Sequence, residues 1–89
     1  MTIYYKDPDG VLDYKFDWDT WCAVSETISS YTIDADTGIV VDSDSESSNV
    51  VTVWLSGGTA GQTYAVRCEI VTSDDRTDER TMLVKVAQR

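Results

Sequence analysis

The sequence contains no histidine. This absence excludes Ser-His-Asp and Cys-His triads, and it removes the commonest general base near neutral pH and the commonest transition-metal ligand. Paired carboxylates are present, but a small chain offers little concave, water-excluding surface on which their pKa values could be separated. We therefore expect a protein that is not an enzyme, with no catalytic residues, no metal and no cofactor.

Basic residues and long apolar runs are also scarce. Seven Lys and Arg stand against 16 Asp and Glu, which gives a formal net charge of −9. Such a balance repels phosphate backbones and anionic lipid surfaces, so neither nucleic acid nor a membrane is an expected partner. No apolar run approaches the roughly 20 residues of a membrane span, and the first residues lack the layout of a secretory signal. We therefore expect the chain to be cytoplasmic where it is made.

The composition is nevertheless that of a folded domain, with 42% hydrophobic and 10% aromatic residues. A chain of 89 residues buries only roughly 60 to 65% of its unfolded surface, so its stability depends partly on area buried against partners. We expect one domain over residues 1–89.

Alternation of apolar and polar residues with a period of two is the dominant pattern. It is clearest over residues 11–18, where the even-numbered residues are apolar. Further strands are predicted over residues 50–55, 64–70 and 82–86, and a short one over 39–41. The less regular segment 25–33 predicts a strand with a bulge or at a sheet edge. Residues 1–6 predict a short N-terminal arm or edge strand.

Turn-forming and polar segments separate these strands. Tight turns are predicted at residues 7–10 and 34–38, a one-turn corner at 19–24, an exposed loop at 42–49 and a polar hairpin loop at 73–78. No segment carries apolar residues at helical spacing. About six strands, or seven with the arm, predict an all-β, immunoglobulin-like antiparallel Greek-key sandwich, with a small open barrel as the alternative.

Two features refine this fold. In sandwich domains, a Tyr near the start of the penultimate strand hydrogen-bonds the backbone a few residues upstream and pins the crossover between the sheets, and we predict that tyrosine corner at Tyr64. In immunoglobulin domains with an inter-sheet disulfide, a buried Trp follows the first Cys, whereas Trp18 and Trp21 precede Cys22. We therefore expect Cys22 and Cys68 to be packed, reduced thiols, with a disulfide as the alternative.

Three aromatic residues do not follow the phase of the core. Trp54 alternates with Val53 and Leu55, and Tyr4 and Tyr5 lie outside the first clear strand. An exposed aromatic side chain brings much apolar area to an interface at low entropic cost. The alternative for Trp54 is that it covers the sheet under a loop. The predicted partner-binding residues are Tyr4, Tyr5 and Trp54 with the acidic residues Asp42, Asp44 and Glu46.

The acidic segments raise the question of calcium. Asp34-x-Asp36-x-Gly38 and Asp42-x-Asp44-x-Glu46 supply alternating oxygen ligands. Neither continues into the twelve-residue loop ending in Glu that an EF-hand requires, so we expect solvated acidic surface and no metal site. That surface keeps the domain soluble, and it is also suited to a basic partner.

Several segments together resemble a known family. They are Asp7-Pro8-Asp9, residues 11–14, Asp17-Trp18 with Trp21, the block Thr52–Tyr64, and residues 76–80. Over nearly the whole chain they resemble the small fibre-tail adaptor proteins of tailed bacteriophages. The positions of Cys22 and Cys68 are not part of that pattern, and the segment 42–48 is more acidic than the pattern.

The resemblance implies a virion structural protein with an immunoglobulin-like domain and no catalytic residues. The resemblance implies that this protein joins the tail or portal-proximal assembly to receptor-binding fibres through contacts with tail, portal adaptor and fibre proteins. The resemblance further implies many copies in the virion tail, with a homo-oligomeric ring as one arrangement, after synthesis in the bacterial cytoplasm. The alternatives are a carbohydrate-binding or adhesion module of a fibre, with its site at Trp54 and the acidic segment, and a regulator that binds a host protein.

Overall fold

A computed structural model describes residues 2–87. That part of the chain forms seven strands in two sheets and no helix. Since it has no helix, it also has none that could cross a membrane. The strands are β1 (Thr2–Lys6), β2 (Leu12–Asp17), β3 (Ile28–Ala35), β4 (Ile39–Ser47), β5 (Val50–Gly57), β6 (Thr63–Thr72) and β7 (Thr77–Val86).

The strands are arranged as a β-sandwich, which confirms the predicted all-β fold. One sheet has the order β1-β7-β6-β3 and the other the order β2-β5-β4. β1 pairs with β7 in parallel, and the other pairs are antiparallel. The orders β7-β6-β3 and β2-β5-β4 follow the G-F-C and B-E-D orders of immunoglobulin domains. This order supports the immunoglobulin-like Greek key, which stays a prediction.

The core lies between the inner faces of the two sheets. Alternation along β5 turns Val51, Val53 and Leu55 inward, where each is 0% exposed. They meet the inward residues of β6 and β7, among them Val66 and Val84, which are equally buried. As predicted, Tyr14 and Phe16 in the middle of β2 point inward and are buried. Leu12, which was predicted to share their face, is 39% exposed and lies at the rim of the core.

The prediction of a loop at residues 42–49 is wrong. β4 continues to Ser47 and pairs with β5, with Asp44 opposite Val53 and Ser45 opposite Thr52. Because β4 is an edge strand, its polar side chains reach solvent while its backbone still bonds to β5. Composition alone therefore failed to show this strand. The true turn is Ser48 and Asn49, whose φ angles of 51° and 65° fit a two-residue hairpin loop.

The strand predicted over residues 25–33 lies at Ile28–Ala35. It has both irregular features that the pattern indicated, since a register shift falls between Ile28 and Ser30 and β3 is an edge strand. The predicted N-terminal arm is β1, also at an edge. Met1 of that arm and residues 88 and 89 of the predicted domain lie outside the described residues.

A buried lysine ties β1 to the other sheet. Lys6 is 0% exposed, and its ammonium group donates to the carbonyl oxygens of Asp7 and Gly57 at 2.8 Å each. Because Gly57 ends β5, this contact joins the edge strand of one sheet to the central strand of the other. Nothing in the sequence pattern had indicated it.

One end of the sandwich is closed by a buried carboxylate. Glu26 is 2% exposed and accepts hydrogen bonds from Thr72 Oγ1 at 2.5 Å, Arg76 Nε at 2.8 Å and the Ala23 N–H at 2.8 Å. The bonds from Arg76 and Thr72 lower the pKa of this carboxyl to about 2. The Arg76 guanidinium also lies 4.1 Å from the centre of the Trp21 ring, so the predicted corner packs back against the core.

Both cysteines are free thiols, in agreement with the prediction. Cys68 is buried in the core, and burial raises the pKa of its thiol to about 11. Burial also raises the pKa of the Cys22 thiol. Neither group is an activated nucleophile, because the thiolate is the reactive form.

Candidate interaction surfaces

The outer face of the three-stranded sheet carries one large apolar side chain at its centre. β5 is the middle strand, and because Val53 and Leu55 point inward, Thr52 and Trp54 point outward. Trp54 is 42% exposed. Trp54 therefore lies on the outer face of the sheet and is not part of the core, as its phase in the sequence predicted.

Short polar side chains surround this tryptophan. Asp13 of β2 and Ser43 of β4 lie opposite Trp54 in the register. Its neighbours on both sides are thus strands, which argues against the alternative that it covers the sheet under a loop. We call this surface the Trp54 face, and its residues are Asp13, Lys15, Ser43, Ser45, Thr52 and Trp54.

A second exposed patch lies on the outer face of the four-stranded sheet. Ile3 is 55% exposed and Tyr5 is 58% exposed. They pair with Leu83 and Lys85 of β7, which point outward because Val84 between them is buried. We call this surface the Tyr5 face, with residues Ile3, Tyr5, Leu83 and Lys85. The sequence had indicated only Tyr5, since the short arm had no assigned phase.

Tyr4 points the other way. Its ring lies 5.0 Å from the ring of Tyr14, and it packs half-buried against the core. The Tyr14 hydroxyl donates to the Tyr5 carbonyl oxygen at 3.3 Å, so β1 and β2 are joined on this side of the sandwich. The structure therefore separates Tyr4 from Tyr5, and the predicted partner contacts depend on Tyr5 and Trp54.

The predicted acidic site residues lie along edge strand β4, and each has a partner within the chain. Asp42 accepts from Ser56 Oγ at 2.8 Å, Asp44 from the Tyr31 hydroxyl at 2.7 Å and Glu46 from the Asn49 N–H at 3.0 Å. The bond to Asp44 raises the pKa of Tyr31 to about 12. These carboxylates thus fasten β4 to its surroundings, and their charge opposes pairing of this edge with another strand.

The other acidic pair holds an arginine. Arg67 donates from Nε to Asp34 at 2.9 Å and from Nη2 to Asp36 at 3.2 Å. Asp36 also accepts the Ala65 N–H at 2.9 Å, and these bonds lower the pKa of its carboxyl. Among residues 2–87 no group of three or more His, Cys, Asp or Glu side chains is placed to hold a metal ion.

Tyr64 lies at the crossover between the two sheets. Its hydroxyl oxygen accepts the Thr59 N–H at 3.0 Å, five residues upstream. The ring fits between two glycines with positive φ. A Cβ on Gly38 (φ 110°) would lie 2.8 Å from Tyr64 Cε1, and a Cβ on Gly58 (φ 93°) 3.5 Å from Cε2 and 2.6 Å from Val86 Cγ2. This is the geometry of a tyrosine corner.

The fold and the exposed aromatic residues are those of a small β-sandwich interaction domain. A family described as Podophage GP4 fiber-tail adaptor protein gp77 matches residues 6–85, which is nearly the whole chain. The chain therefore belongs to this fibre-tail adaptor family, as the sequence resemblance predicted. It is a structural component of a phage virion that binds other tail proteins. Comparison with curated proteins gives no significant match.

Proposed function

We propose that the chain links the tail or portal-proximal assembly to the receptor-binding fibres by using its two outer faces for different virion proteins. The observation that carries this proposal is that Trp54 and Tyr5 are exposed on opposite sheets of one sandwich. A linking protein must hold two partners at once. Two faces separated by a packed core allow this without steric conflict.

The energy available at each face is appropriate for a contact repeated in an assembly. The exposed 42% of Trp54 corresponds to roughly 100 Å², and burying it contributes about 2.5 kcal/mol. A single contact of this size is weak. Many copies in a symmetric particle, with a homo-oligomeric ring as the proposed arrangement, add such contacts through high effective concentration.

The charge of the chain indicates the character of its partners. A formal net charge of −9 favours encounter with basic protein surfaces over nucleic acid or anionic lipid. Since the described cysteines are not activated and the chain contains no histidine, we propose a binding role without catalysis. The protein is made in the host cytoplasm and assembled into the tail.

The test is to assemble particles in the host from phage genomes that encode Trp54→Ala or Tyr5→Ala. Both variants should fold, because each side chain lies outside the core. One should yield particles that lack the adaptor, and the other particles that hold the adaptor but lack fibres, as measured by mass spectrometry of purified particles. Val24→Ala is the matched control, since Val24 is 98% exposed and lies on neither face. Normal adaptor and fibre content with both variants would refute the two-face proposal.

A second candidate function is carbohydrate binding by a fibre module. The observation that favours it is the Trp54 face, where short hydroxyl and carboxylate side chains of Asp13, Ser43 and Thr52 surround one indole ring. Such a ring can stack on a sugar while the polar groups bond to its hydroxyls. A glycan array should then show saturable binding that Trp54→Ala abolishes. An array without saturable binding would eliminate this candidate.

A further inference from the structure

Strand β7 is longer than the strand that covers its outer edge. β6 pairs with β7 from Thr77 to Lys85, whereas β1 pairs with it only from Met82 to Val86. Within residues 2–87, the segment 77–81 therefore has a strand on one side only. We call this segment the open edge of β7.

The backbone N–H of Glu79 faces the open edge. At the end of β7, the Val86 N–H donates to Gln62 on the β6 side and the Ala87 N–H to Lys6 on the β1 side, so odd-numbered residues face β1. The Glu79 N–H donates instead to the carboxylate of Asp78 at 2.8 Å, in an exposed bond. An exposed side-chain acceptor of this kind is readily replaced by a backbone carbonyl.

A cleft lies beside the open edge, where the side of the sandwich between β2 and β7 is not closed. Its floor is apolar, since Phe16 and Met82 are core residues at 5% and 2% exposure. Lys15 of β2 and Arg80 of β7 supply a positive charge from each sheet. The cleft residues are Tyr4, Lys15, Phe16, Asp17, Arg80, Thr81 and Met82.

Neither cation of the cleft has a carboxylate partner in the described part of the chain, unlike Arg67 and Arg76, which are both ion-paired. The Arg80 guanidinium lies 4.3 Å from the centre of the Trp18 ring and donates to the Asp17 carbonyl oxygen at 2.6 Å.

The acidic groups near the cleft are already used or point to solvent. The Asp17 carboxylate accepts the Asp19 N–H at 3.0 Å, and Asp78 accepts the Glu79 N–H. Glu79 is exposed. In a chain with 16 acidic residues, the cleft is thus lined by two cations that form no ion pair in the described part of the chain, and by one carboxylate, that of Asp17.

We propose that the open edge of β7 receives an extended segment of another virion protein, which adds a strand in line with β1 and places a carboxylate between Lys15 and Arg80. Backbone bonds to β7 supply affinity, and the apolar floor and the two cations supply selectivity. The inference rests on the proposed function only in that a tail or fibre protein provides the segment. It uses neither Trp54 nor Tyr5, but it shares Lys15 with the Trp54 face, so Arg80 is the cation that belongs to the cleft alone.

Amide hydrogen exchange of the full chain, free and in purified particles, tests the strand addition. We expect the outward amides of Thr77, Glu79 and Thr81 to exchange at least roughly tenfold more slowly in the particle, because new backbone bonds protect them, whereas the amides of residues 78 and 80 already face β6. Unchanged exchange there would overturn the proposal. Slowing that rises with concentration in the free protein would also overturn it, because the occupant would then be a second copy of this chain.

Variants test the edge and the charges separately. Glu79→Pro removes the outward N–H at a position where an edge strand tolerates proline, and Lys15→Gln and Arg80→Gln each remove one cation. Each of these three variants should reduce adaptor incorporation roughly tenfold. Lys15→Arg and Arg80→Lys keep the charge and should incorporate at the wild-type level. Thermal melts of the free variants identify any that do not fold. Normal incorporation of folded Gln variants would refute the carboxylate contact.

These results are separable from those at the two aromatic faces. If Trp54→Ala and Tyr5→Ala block assembly while the open edge exchanges as in the free protein, the proposed function stands and the strand addition is wrong. If the open edge is protected while both alanine variants assemble normally, the strand addition stands and the two-face proposal is wrong.

Discussion

Removing only the hydroxyl group of Tyr64 measures what the corner contributes to stability. In Tyr64→Phe the ring keeps its place between Gly38 and Gly58, so packing is preserved. The Thr59 N–H, which donates to that hydroxyl at 3.0 Å, loses its acceptor in a partly buried position. A lost neutral hydrogen bond of this kind reduces the free energy of unfolding by about 1 kcal/mol. In a domain of this size that lowers Tm by about 4 to 8 °C.

Thermal and urea denaturation of the isolated full chain measure this effect. The matched control is Tyr31→Phe, which removes a hydroxyl that bonds to Asp44 at 2.7 Å in an exposed position. Because water replaces an exposed partner, the control should change stability by less than about 0.5 kcal/mol. Amide exchange of residues 59–62 should also accelerate in Tyr64→Phe and not in the control. Equal stability of the two variants would refute the claim that the Tyr64 hydroxyl pins the crossover.

Two further predictions concern the same scaffold. Gly38→Ala should lower the free energy of unfolding by about 2 kcal/mol or more, because its Cβ would meet the Tyr64 ring at a positive φ; a melt like that of the wild type would contradict this. Folding lowers the pKa of the Glu26 carboxyl from 4.5 to about 2. The ionised carboxylate therefore stabilises the fold above pH 4.5, and this contribution is lost as the pH falls toward 2. Urea midpoints should therefore fall more between pH 6 and pH 3 for the wild type than for Glu26→Gln, and equal falls would contradict the assignment.

The sequence predicted the parts of the fold that depend on burial. Alternation identified the central strands, because residues such as Val53 and Val84 must point inward for the sheets to pack. The corner at Tyr64 was predictable from a local pattern, because a glycine-rich crossing precedes the Tyr. The outward orientation of Trp54 was predictable from its phase relative to Val53 and Leu55.

Features that depend on which strands are neighbours were not predictable. The acidic part of β4 has no apolar pattern, and its strand conformation comes from backbone bonds to β5. The buried ammonium of Lys6 finds its acceptor at Gly57, 51 residues away. Likewise, Lys15 and Arg80 line one cleft only because β2 and β7, which belong to different sheets, border it together. Neither propensity nor spacing contains that information.

The treatment of the strand edges connects these observations to assembly. The β4 edge carries Asp42, Asp44 and Glu46, and the β3 edge carries a register shift and Asp34, so both oppose pairing with a further strand. At β1, the Tyr5 carbonyl is already bonded to Tyr14. The open edge of β7 differs, because a single exposed bond from Glu79 to Asp78 occupies it. The edges of β4, β3 and β1 are thus each modified, whereas the open edge of β7 lies beside a cleft with an apolar floor and two cations, which is the asymmetry on which the proposed strand addition depends.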